Sequence, residues 1–141
     1  MLFNGKVHER RIEKLRSQML IMGMDAVLVS IEENRRYISG FKGEDTQFDE
    51  SAGVLLICQD SMFLLTDSRF EEQARNESPA FETRIYHSGM SKTIAEIINP
   101  AIKNFFFMNF QKSDAIRKNE RDKVFFRFIS CFRTNSFFID L

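Results

Sequence analysis

The sequence has little cysteine and histidine, and it has no long apolar run. It contains two cysteines and two histidines in 141 residues. Two cysteines are too few for a disulfide framework, so we expect Cys58 and Cys131 to be buried free thiols in a reducing compartment. A membrane span needs roughly 20 consecutive apolar residues, and the residues after Met1 lack the apolar segment of a signal peptide. These absences predict a cytoplasmic protein that does not cross a membrane.

The chain also lacks a net charge. Lys and Arg together number 20, and Asp and Glu together number 20. No overall electric field would attract a nucleic acid or an anionic membrane surface, so neither is expected as a partner. The balance is uneven along the chain, with 12 basic and 16 acidic residues up to Pro100 and 8 basic and 4 acidic residues after it.

Motifs for catalysis or for metal binding are missing as well. The sequence has no zinc-binding histidine pair, no closely spaced cysteine pair, no phosphate-binding glycine loop and no nucleophile elbow. A Ser-His-Asp arrangement would have to use His8 or His87, and His87 is interpreted as a surface or structural histidine. The acidic segment with Asp45, Asp49 and Glu50 offers oxygens for a hard cation, but a solvated loop is favoured. We therefore predict no catalytic residue, no metal ligand and no cofactor in this chain.

The pattern of apolar residues predicts an α/β domain in which helices and buried strands alternate. The first helix shows apolar residues at three- and four-residue steps and ends at Gly23, which suits a left-handed cap. The segment from Glu32 to Phe41 is interpreted as a polar loop that runs into a short strand. The other predicted elements are a strand at Ala26–Ile31, an antiparallel hairpin at Gly53–Ile57 and Met62–Thr66, a capped helix at Ser68–Asn76, a strand at Phe81–Tyr86 and a helix from Ser91.

The C-terminal part differs in composition from the rest. Ten of the 16 phenylalanines lie at or after Phe105, and no glycine follows Gly89. We therefore divide the chain into residues 1–100 and a divergent Phe-rich part at 101–141. One interpretation of the second part is a last strand-helix-strand unit that completes the same domain, and the other is an aberrant tail. The predicted elements there are Phe105–Phe110, Ser113–Asn119 and Val124–Phe132.

Two adjacent arginines, Arg35 and Arg36, stand at the start of the predicted short strand. A guanidinium group presents a planar set of donors that suits a carboxylate, so these residues form a candidate binding edge. The alternative is that they pair inside the fold with Glu32, Glu33 or Asp67. Asp67 and Arg69 are open to a similar structural interpretation, in which Asp67 pairs with Arg69 or caps the helix.

Three segments together resemble a known family. They contain Asn34-Arg35-Arg36-Tyr37-Ile38-Ser39-Gly40-Phe41, the apolar run that follows Asp49, and Thr66-Asp67-Ser68-Arg69-Phe70. In order and spacing they are similar to the N-terminal domain of the creatinase, prolidase and aminopeptidase P group, the Xaa-Pro peptidases. The resemblance covers about Val7 to Ile98, and it is specific as a set although each segment alone would be weak.

The resemblance implies a fold and a non-catalytic role. The fold is a three-layer-like α/β domain with a mixed β-sheet flanked by helices. In the family, this domain supports a homodimer and caps the substrate site, whereas a separate domain, which this sequence lacks, holds two divalent metal ions of manganese type and hydrolyses the bond before proline. We therefore expect the chain alone to be inactive. The expected partners are a second copy, the catalytic metal domain of a relative and a proline-containing peptide.

The resemblance also assigns roles to residues. Arg35, Arg36 and Tyr37 would contact the substrate, and a second set would have structural roles: Asn34, Gly40, Phe41, Asp67 and Arg69. Catalysis-free relatives of this fold bind proteins, so the alternative function is a stand-alone peptide- or protein-binding module.

Overall fold

The computed structural model describes residues 5–45 and 51–98, together with the backbone of residues 104–108 and 130–133. This part of the chain contains four α-helices and six β-strands. In chain order they are α1 (Gly5–Met22), β1 (Ala26–Val29), α2 (Glu32–Ser39), β2 (Val54–Cys58), β3 (Met62–Thr66), a 3₁₀ turn (Ser68–Phe70), α3 (Glu71–Glu77), β4 (Glu82–Ile85), α4 (Met90–Ile97), β5 (Asn104–Met108) and β6 (Ser130–Arg133).

The strands form one mixed sheet in the order β4-β3-β2-β1-β5-β6. The β1 strand runs antiparallel to β2, with Ala26 opposite Cys58, and parallel to β5, with Ala26 opposite Phe105. The β2–β3 pair is antiparallel, the β3–β4 pair is parallel and the β5–β6 pair is antiparallel. This mixed sheet with helices beside it confirms the predicted fold class.

Both faces of the sheet are covered, and this explains why the central strands are apolar along their whole length. Every residue of β1 and of β2 is buried, as expected for strands with helices on both faces. Alternate residues therefore enter different cores. Val27, Val29, Leu55 and Ile57 pack on the side of α1 and α2, whereas Ala26, Leu28, Val54 and Leu56 pack on the side of α4.

The α1 helix forms where the sequence predicts it. Its apolar stripe of Ile12, Leu15 and Met19 is buried against the first core. Gly23 ends the helix at φ 66°, and its N–H donates to the carbonyl of Leu20 at 3.2 Å. The predicted left-handed glycine cap is thus confirmed.

The α2 helix corrects the prediction of a polar loop and a short strand at Glu32–Phe41. Residues Glu32–Ser39 are helical, and the chain turns at Gly40 with φ 84°. Glu32 and Glu33 occupy the first helical turn, where negative charge is favourable beside the free N–H groups. The buried face consists mainly of polar residues (Asn34, Arg35 and Ser39) with Ile38 as its apolar member, so the apolar periodicity that identifies a helix is weak here.

The remaining predicted elements are found with shifted ends. The hairpin is confirmed as β2 and β3, and the predicted strands and helices after it are confirmed as α3, β4 and α4. The helix predicted from Ser68 begins with a 3₁₀ turn that Asp67 caps. The strand predicted at Ala26–Ile31 ends at Val29.

The C-terminal predictions are tested only in part. The strand predicted at Phe105–Phe110 corresponds to β5, and the end of the strand predicted at Val124–Phe132 corresponds to β6. The helix predicted at Ser113–Asn119 lies outside the described residues. Strands of the sheet lie on both sides of residue 100, and the boundary at that residue stays a prediction.

Candidate binding site at the α2 helix

Arg35 lies inside the fold, on the buried face of α2. Its side chain is 0% exposed, and it forms a two-pronged ion pair with Asp45, with Nη2–Oδ1 at 2.8 Å and Nη1–Oδ2 at 3.2 Å. Nη1 also donates to the Ser30 carbonyl at 2.6 Å and to Ser51 Oγ at 3.2 Å, and Nη2 donates to the Gly43 carbonyl at 3.0 Å. Arg35 thus forms an ion pair inside the fold, as one interpretation of the sequence predicted, but its partner is Asp45 and not Glu32, Glu33 or Asp67.

The sequence suggested that Asp45, Asp49 and Glu50 form a solvated acidic loop, but Asp45 is paired with Arg35. Asp49 and Glu50 lie outside the described residues. Besides the pair with Arg35, Asp45 Oδ1 accepts a hydrogen bond from the Ala52 N–H at 2.7 Å. Its own N–H donates to Glu32 Oε2 at 3.0 Å. A carboxylate that receives several donors can hold two distant segments together. Here it joins the chain on either side of residues 46–50 to the start of α2.

Arg36 is the next residue of α2, and its side chain lies at the surface. Its side chain is 48% exposed and forms an ion pair with Glu32 at 3.2 Å, one helical turn earlier. An exposed pair of this kind contributes at most about 0.5 kcal/mol. The guanidinium is thus accessible and only weakly held, which leaves it available to a ligand.

Tyr37 is half-buried, and two α1 residues contact it. The guanidinium carbon of Arg11 lies 3.7 Å from the centre of the tyrosine ring, and Arg11 Nη1 donates to the Tyr37 carbonyl. His8 Nδ1 lies 3.2 Å from the Tyr37 carbonyl oxygen and 3.1 Å from that of Ile38. Basic side chains here suit the carbonyls at a helix C-terminus, which lack partners within the helix.

Sequence reasoning missed His8 and Arg11 as parts of this site. A signal for them exists, because they precede Ile12 and Leu15 by one helical turn and so share the apolar face of α1. A polar side chain on a face that packs against the core needs a partner. The carbonyls at the end of α2 supply partners for both residues.

The turn after α2 is held in place by contacts with the 3₁₀ turn and with α3. Phe41 is 0% exposed, and its ring meets Phe70 edge to face with 6.2 Å between centroids. The Glu77 carboxylate accepts a hydrogen bond from the Lys42 N–H at 2.7 Å. Gly40 adopts the left-handed conformation that the turn needs. Gly40 and Phe41 of the motif therefore lie where they determine the path of the backbone. Asn34, also a motif residue, is buried on α2.

Asp67 and Arg69 form a local pair at the start of the 3₁₀ turn. Asp67 Oδ1 accepts from the Arg69 N–H at 2.8 Å, and Arg69 Nη2 lies 2.7 Å from Asp67 Oδ2. The hydrogen bond from the Arg69 side chain, aided by that from its backbone N–H, lowers the pKa of Asp67. Within the described structure this pair has a capping role.

Neither a metal centre nor a membrane helix is found among residues 5–45 and 51–98. No group of three or more His, Cys, Asp or Glu side chains in that part of the chain is arranged to hold a metal ion. His87 is exposed and follows β4. The described helices are too short or too polar to cross a membrane.

A family model and a curated protein both match this chain. The family model for the Creatinase/Prolidase N-terminal domain matches residues 11–112. The protein named Uncharacterized peptidase YqhT of Bacillus subtilis is 32% identical over 88 residues, which are 62% of this chain and 23% of that protein. The chain thus spans less than a quarter of this curated relative.

Two solved structures share the fold and much of the length. An Xaa-Pro aminopeptidase structure from Streptococcus pyogenes superposes with a TM-score of 0.64 at 26% identity, covering 78% of this chain and 80% of that chain. The N-terminal domain of the cytoplasmic peptidase PepQ from Mycobacterium tuberculosis superposes with a TM-score of 0.59 at 30% identity, covering 70% of this chain and 72% of that one.

Proposed function

Because this chain belongs to the Creatinase/Prolidase N-terminal domain family, we propose that it is the non-catalytic N-terminal domain of an Xaa-Pro metallopeptidase. In this role it supports a homodimer and covers the substrate site of a separate metal-binding domain. The likeness to an Xaa-Pro aminopeptidase structure supports the proposal. A cytoplasmic location is part of it, supported by the buried free thiol of Cys58.

The placement of Arg36 and Tyr37 is the observation that carries the proposal. They are consecutive residues of α2. The Arg36 guanidinium is exposed, and the Tyr37 ring is half-buried, packed against the first core and covered by Arg11. A guanidinium can take a peptide carboxylate in a two-pronged hydrogen bond. The part of the Tyr37 ring that stays exposed would offer apolar contact to a proline side chain. We propose a proline-containing peptide as the ligand of these two residues.

The residues described here do not fit a two-metal hydrolytic centre, because no cluster of metal-ligating side chains occurs among them. We assign no hydrolytic step to these residues. The two divalent ions, of manganese type, belong in this proposal to the partner domain, where they would activate water and polarise the scissile carbonyl.

An activity assay tests the non-catalytic role. The purified full chain is incubated with the tripeptide Ala-Pro-Ala, with and without added Mn²⁺, and free alanine is measured. We expect no hydrolysis in either case. Proline-specific hydrolysis that stays with the chain through purification and disappears on chelation would refute the non-catalytic role.

A binding titration tests the substrate-side role of α2. Ala-Pro-Ala is titrated against the wild type and against Arg36→Ala, with Arg75→Ala as the matched control. Arg75 is also an exposed arginine paired one turn away, with Glu71, but it lies on α3. Loss of a charged hydrogen bond should weaken binding by about 1 kcal/mol or more, roughly fivefold, in Arg36→Ala alone. Absence of binding up to about 1 mM peptide would argue against the contact.

Sedimentation equilibrium of the full chain tests the dimer. A mass that corresponds to two chains at micromolar concentration is the expected result, whereas a monomer over the same range would remove dimerisation from the proposal. Adding a separately produced catalytic domain of an Xaa-Pro peptidase then tests capping. Under the proposal, the chain should form a complex with that domain and change its KM for a proline peptide.

The second candidate function is a stand-alone peptide- or protein-binding module. The observation in its favour is an exposed apolar patch at the end of α1, where Leu20, Ile21 and Met22 are 68%, 77% and 46% exposed. Consecutive exposed apolar side chains are a common feature of interaction surfaces. Peptide binding by the chain without any complex with a catalytic domain would favour this function over the first.

A further inference from the structure

Arg35 is an unusual residue to find completely shielded from solvent. Burial of a guanidinium is costly unless the charge is paired and its N–H groups are hydrogen-bonded. Its guanidinium donates five hydrogen bonds: one to the Ser30 carbonyl before α2, one each to Gly43 and Ser51, and two to the Asp45 carboxylate. Its Nε is buried without a hydrogen-bond partner among the described residues. The side chain is thus held mainly through its two Nη groups.

The acceptors of Arg35 come from three separate places in the chain. Ser30 precedes α2, Gly43 and Asp45 precede residues 46–50, and Ser51 follows them. One guanidinium therefore holds residues 43–45 and residue 51 against the start of α2. The Asp45 N–H also donates a hydrogen bond to the Glu32 carboxylate, which is a second contact between residue 45 and α2.

We propose that Arg35 is a positioning residue, which fixes residues 43–45 and 51–52 against α2 and thereby sets where Arg36 and Tyr37 lie. Asp45 occupies the two-pronged side of the guanidinium that a substrate carboxylate would use. This assigns to Arg35 a role different from the substrate contact that the family resemblance implies. The effect on a ligand rests on the proposed function, whereas the effect on residues 43–45 and 51–52 does not.

Amide hydrogen exchange of the full chain tests the effect on residues 43–45 and 51–52. The variant is Arg35→Met, which keeps a long apolar side chain and removes the five donors, and the control is Arg75→Met on α3. We expect the amides of Asp45 and Ala52 to exchange at least about tenfold faster in Arg35→Met. The Asp45 carboxylate, which accepts from the Ala52 N–H, loses its ion pair, and residue 45 is then no longer held beside Glu32, the acceptor of its own N–H. Amides of β2 and β3 should keep their protection, and Arg75→Met should match the wild type.

Unchanged protection at both Asp45 and Ala52 would overturn the proposal. If Arg35→Met does not fold, Asp45→Asn gives the same test, because it keeps the shape of the side chain, removes the ion pair and leaves a group that is one-third exposed. In that variant the Ala52 amide is measured. Full protection of Ala52 there would also overturn the proposal.

A double-mutant cycle tests the effect on a ligand. Ala-Pro-Ala is titrated against wild type, Arg35→Met, Arg36→Ala and the double variant, at a temperature where each is folded. Positioning predicts that Arg36→Ala weakens binding roughly fivefold in the wild type but less than twofold in the Arg35→Met background. Independent, additive losses would overturn the positioning of Arg36. If the wild type does not bind the peptide, the substrate-side proposal fails, and the exchange result alone decides whether Arg35 fixes residues 43–45 and 51–52.

Discussion

The Ser78 hydroxyl donates a hydrogen bond to the carbonyl of Ser39 at 3.1 Å, across 39 residues of sequence. Both residues are buried, with Ser78 at the end of α3 and Ser39 at the end of α2. The Ser39 hydroxyl in turn accepts from the Phe41 N–H at 3.1 Å. This contact joins the ends of two helices and holds the turn that carries the Gly40-Phe41 motif.

The Ser78→Ala variant should therefore be less stable than the wild type. Removal of the hydroxyl leaves the buried Ser39 carbonyl without this donor, and an unpaired buried polar group costs about 1–3 kcal/mol. We expect a loss of about 1–2 kcal/mol in the free energy of unfolding, measured by urea titration. Ser17→Ala is the control, because the Ser17 hydroxyl is exposed and bonds only within α1. An equal effect of the two substitutions would contradict the role of the Ser78 bond.

Substitution of the two helix-ending glycines should have unequal effects. Gly40 and Gly23 both adopt positive φ, at 84° and 66°, so alanine at either position costs about 1 kcal/mol of backbone strain. A Cβ at Gly40 would also lie 3.2 Å from the Glu77 carbonyl oxygen and 3.2 Å from His8 Nε2, whereas a Cβ at Gly23 meets nothing within 4 Å. We expect Gly40→Ala to be the more destabilising of the two in urea titrations. A loss in Gly40→Ala no larger than in Gly23→Ala would show that the close packing at this turn adds nothing.

The Asp67 carboxylate should make stability depend on pH in the acid range. Its pKa is lowered in the folded chain by the hydrogen bond from the Arg69 side chain and by that from the Arg69 backbone. A lowered folded-state pKa contributes stability above the unfolded value of roughly 4, and that contribution is lost as the pH falls through the folded-state pKa.

The test is the pH dependence of Tm for the wild type and Asp67→Asn, since asparagine also caps a helical turn but carries no charge. The difference in Tm should be largest near neutral pH and should shrink as the pH falls below roughly 4. Asp60→Asn is the control, because Asp60 forms no salt bridge with the described residues. A difference that stays constant down to the lowest pH would contradict the charge effect.

The sequence predicts those elements of the fold whose buried residues are apolar and recur with the period of a helix or a strand. The β2–β3 hairpin and α1 follow from such patterns, because Leu55 and Leu64 in the strands and Leu15 in the helix are fully buried. The α2 helix could not be predicted in this way. Its buried face carries Asn34 and Arg35, and the burial of Arg35 depends on partners supplied by other segments.

The candidate site could likewise be predicted only in part from the sequence. The motif places Arg36 and Tyr37 together, and their contact with a substrate stays a prediction. The pairing of Arg35 with Asp45 depends on the path of the chain from Gly43 to Asp45, which the pattern of apolar residues does not predict. An acidic loop next to a glycine is usually solvated, so an internal ion pair could be recognised only when the chain path was known.

The Cys58 thiol should be protected from alkylation in the folded chain. It lies at the end of β2, 6% exposed and packed in the core beneath α4. Burial raises its pKa above the ordinary value, and a nearby Asp60 acts in the same direction against the opposing hydrogen bond with Ser61. Since only the thiolate reacts, a raised pKa lowers the reactive fraction at pH 8. Mass spectrometry of the Cys58 peptide after iodoacetamide treatment should show modification at least about tenfold slower in the native chain than in urea. Equal rates in the two conditions would show that Cys58 is accessible, and that β2 does not hold it in the core.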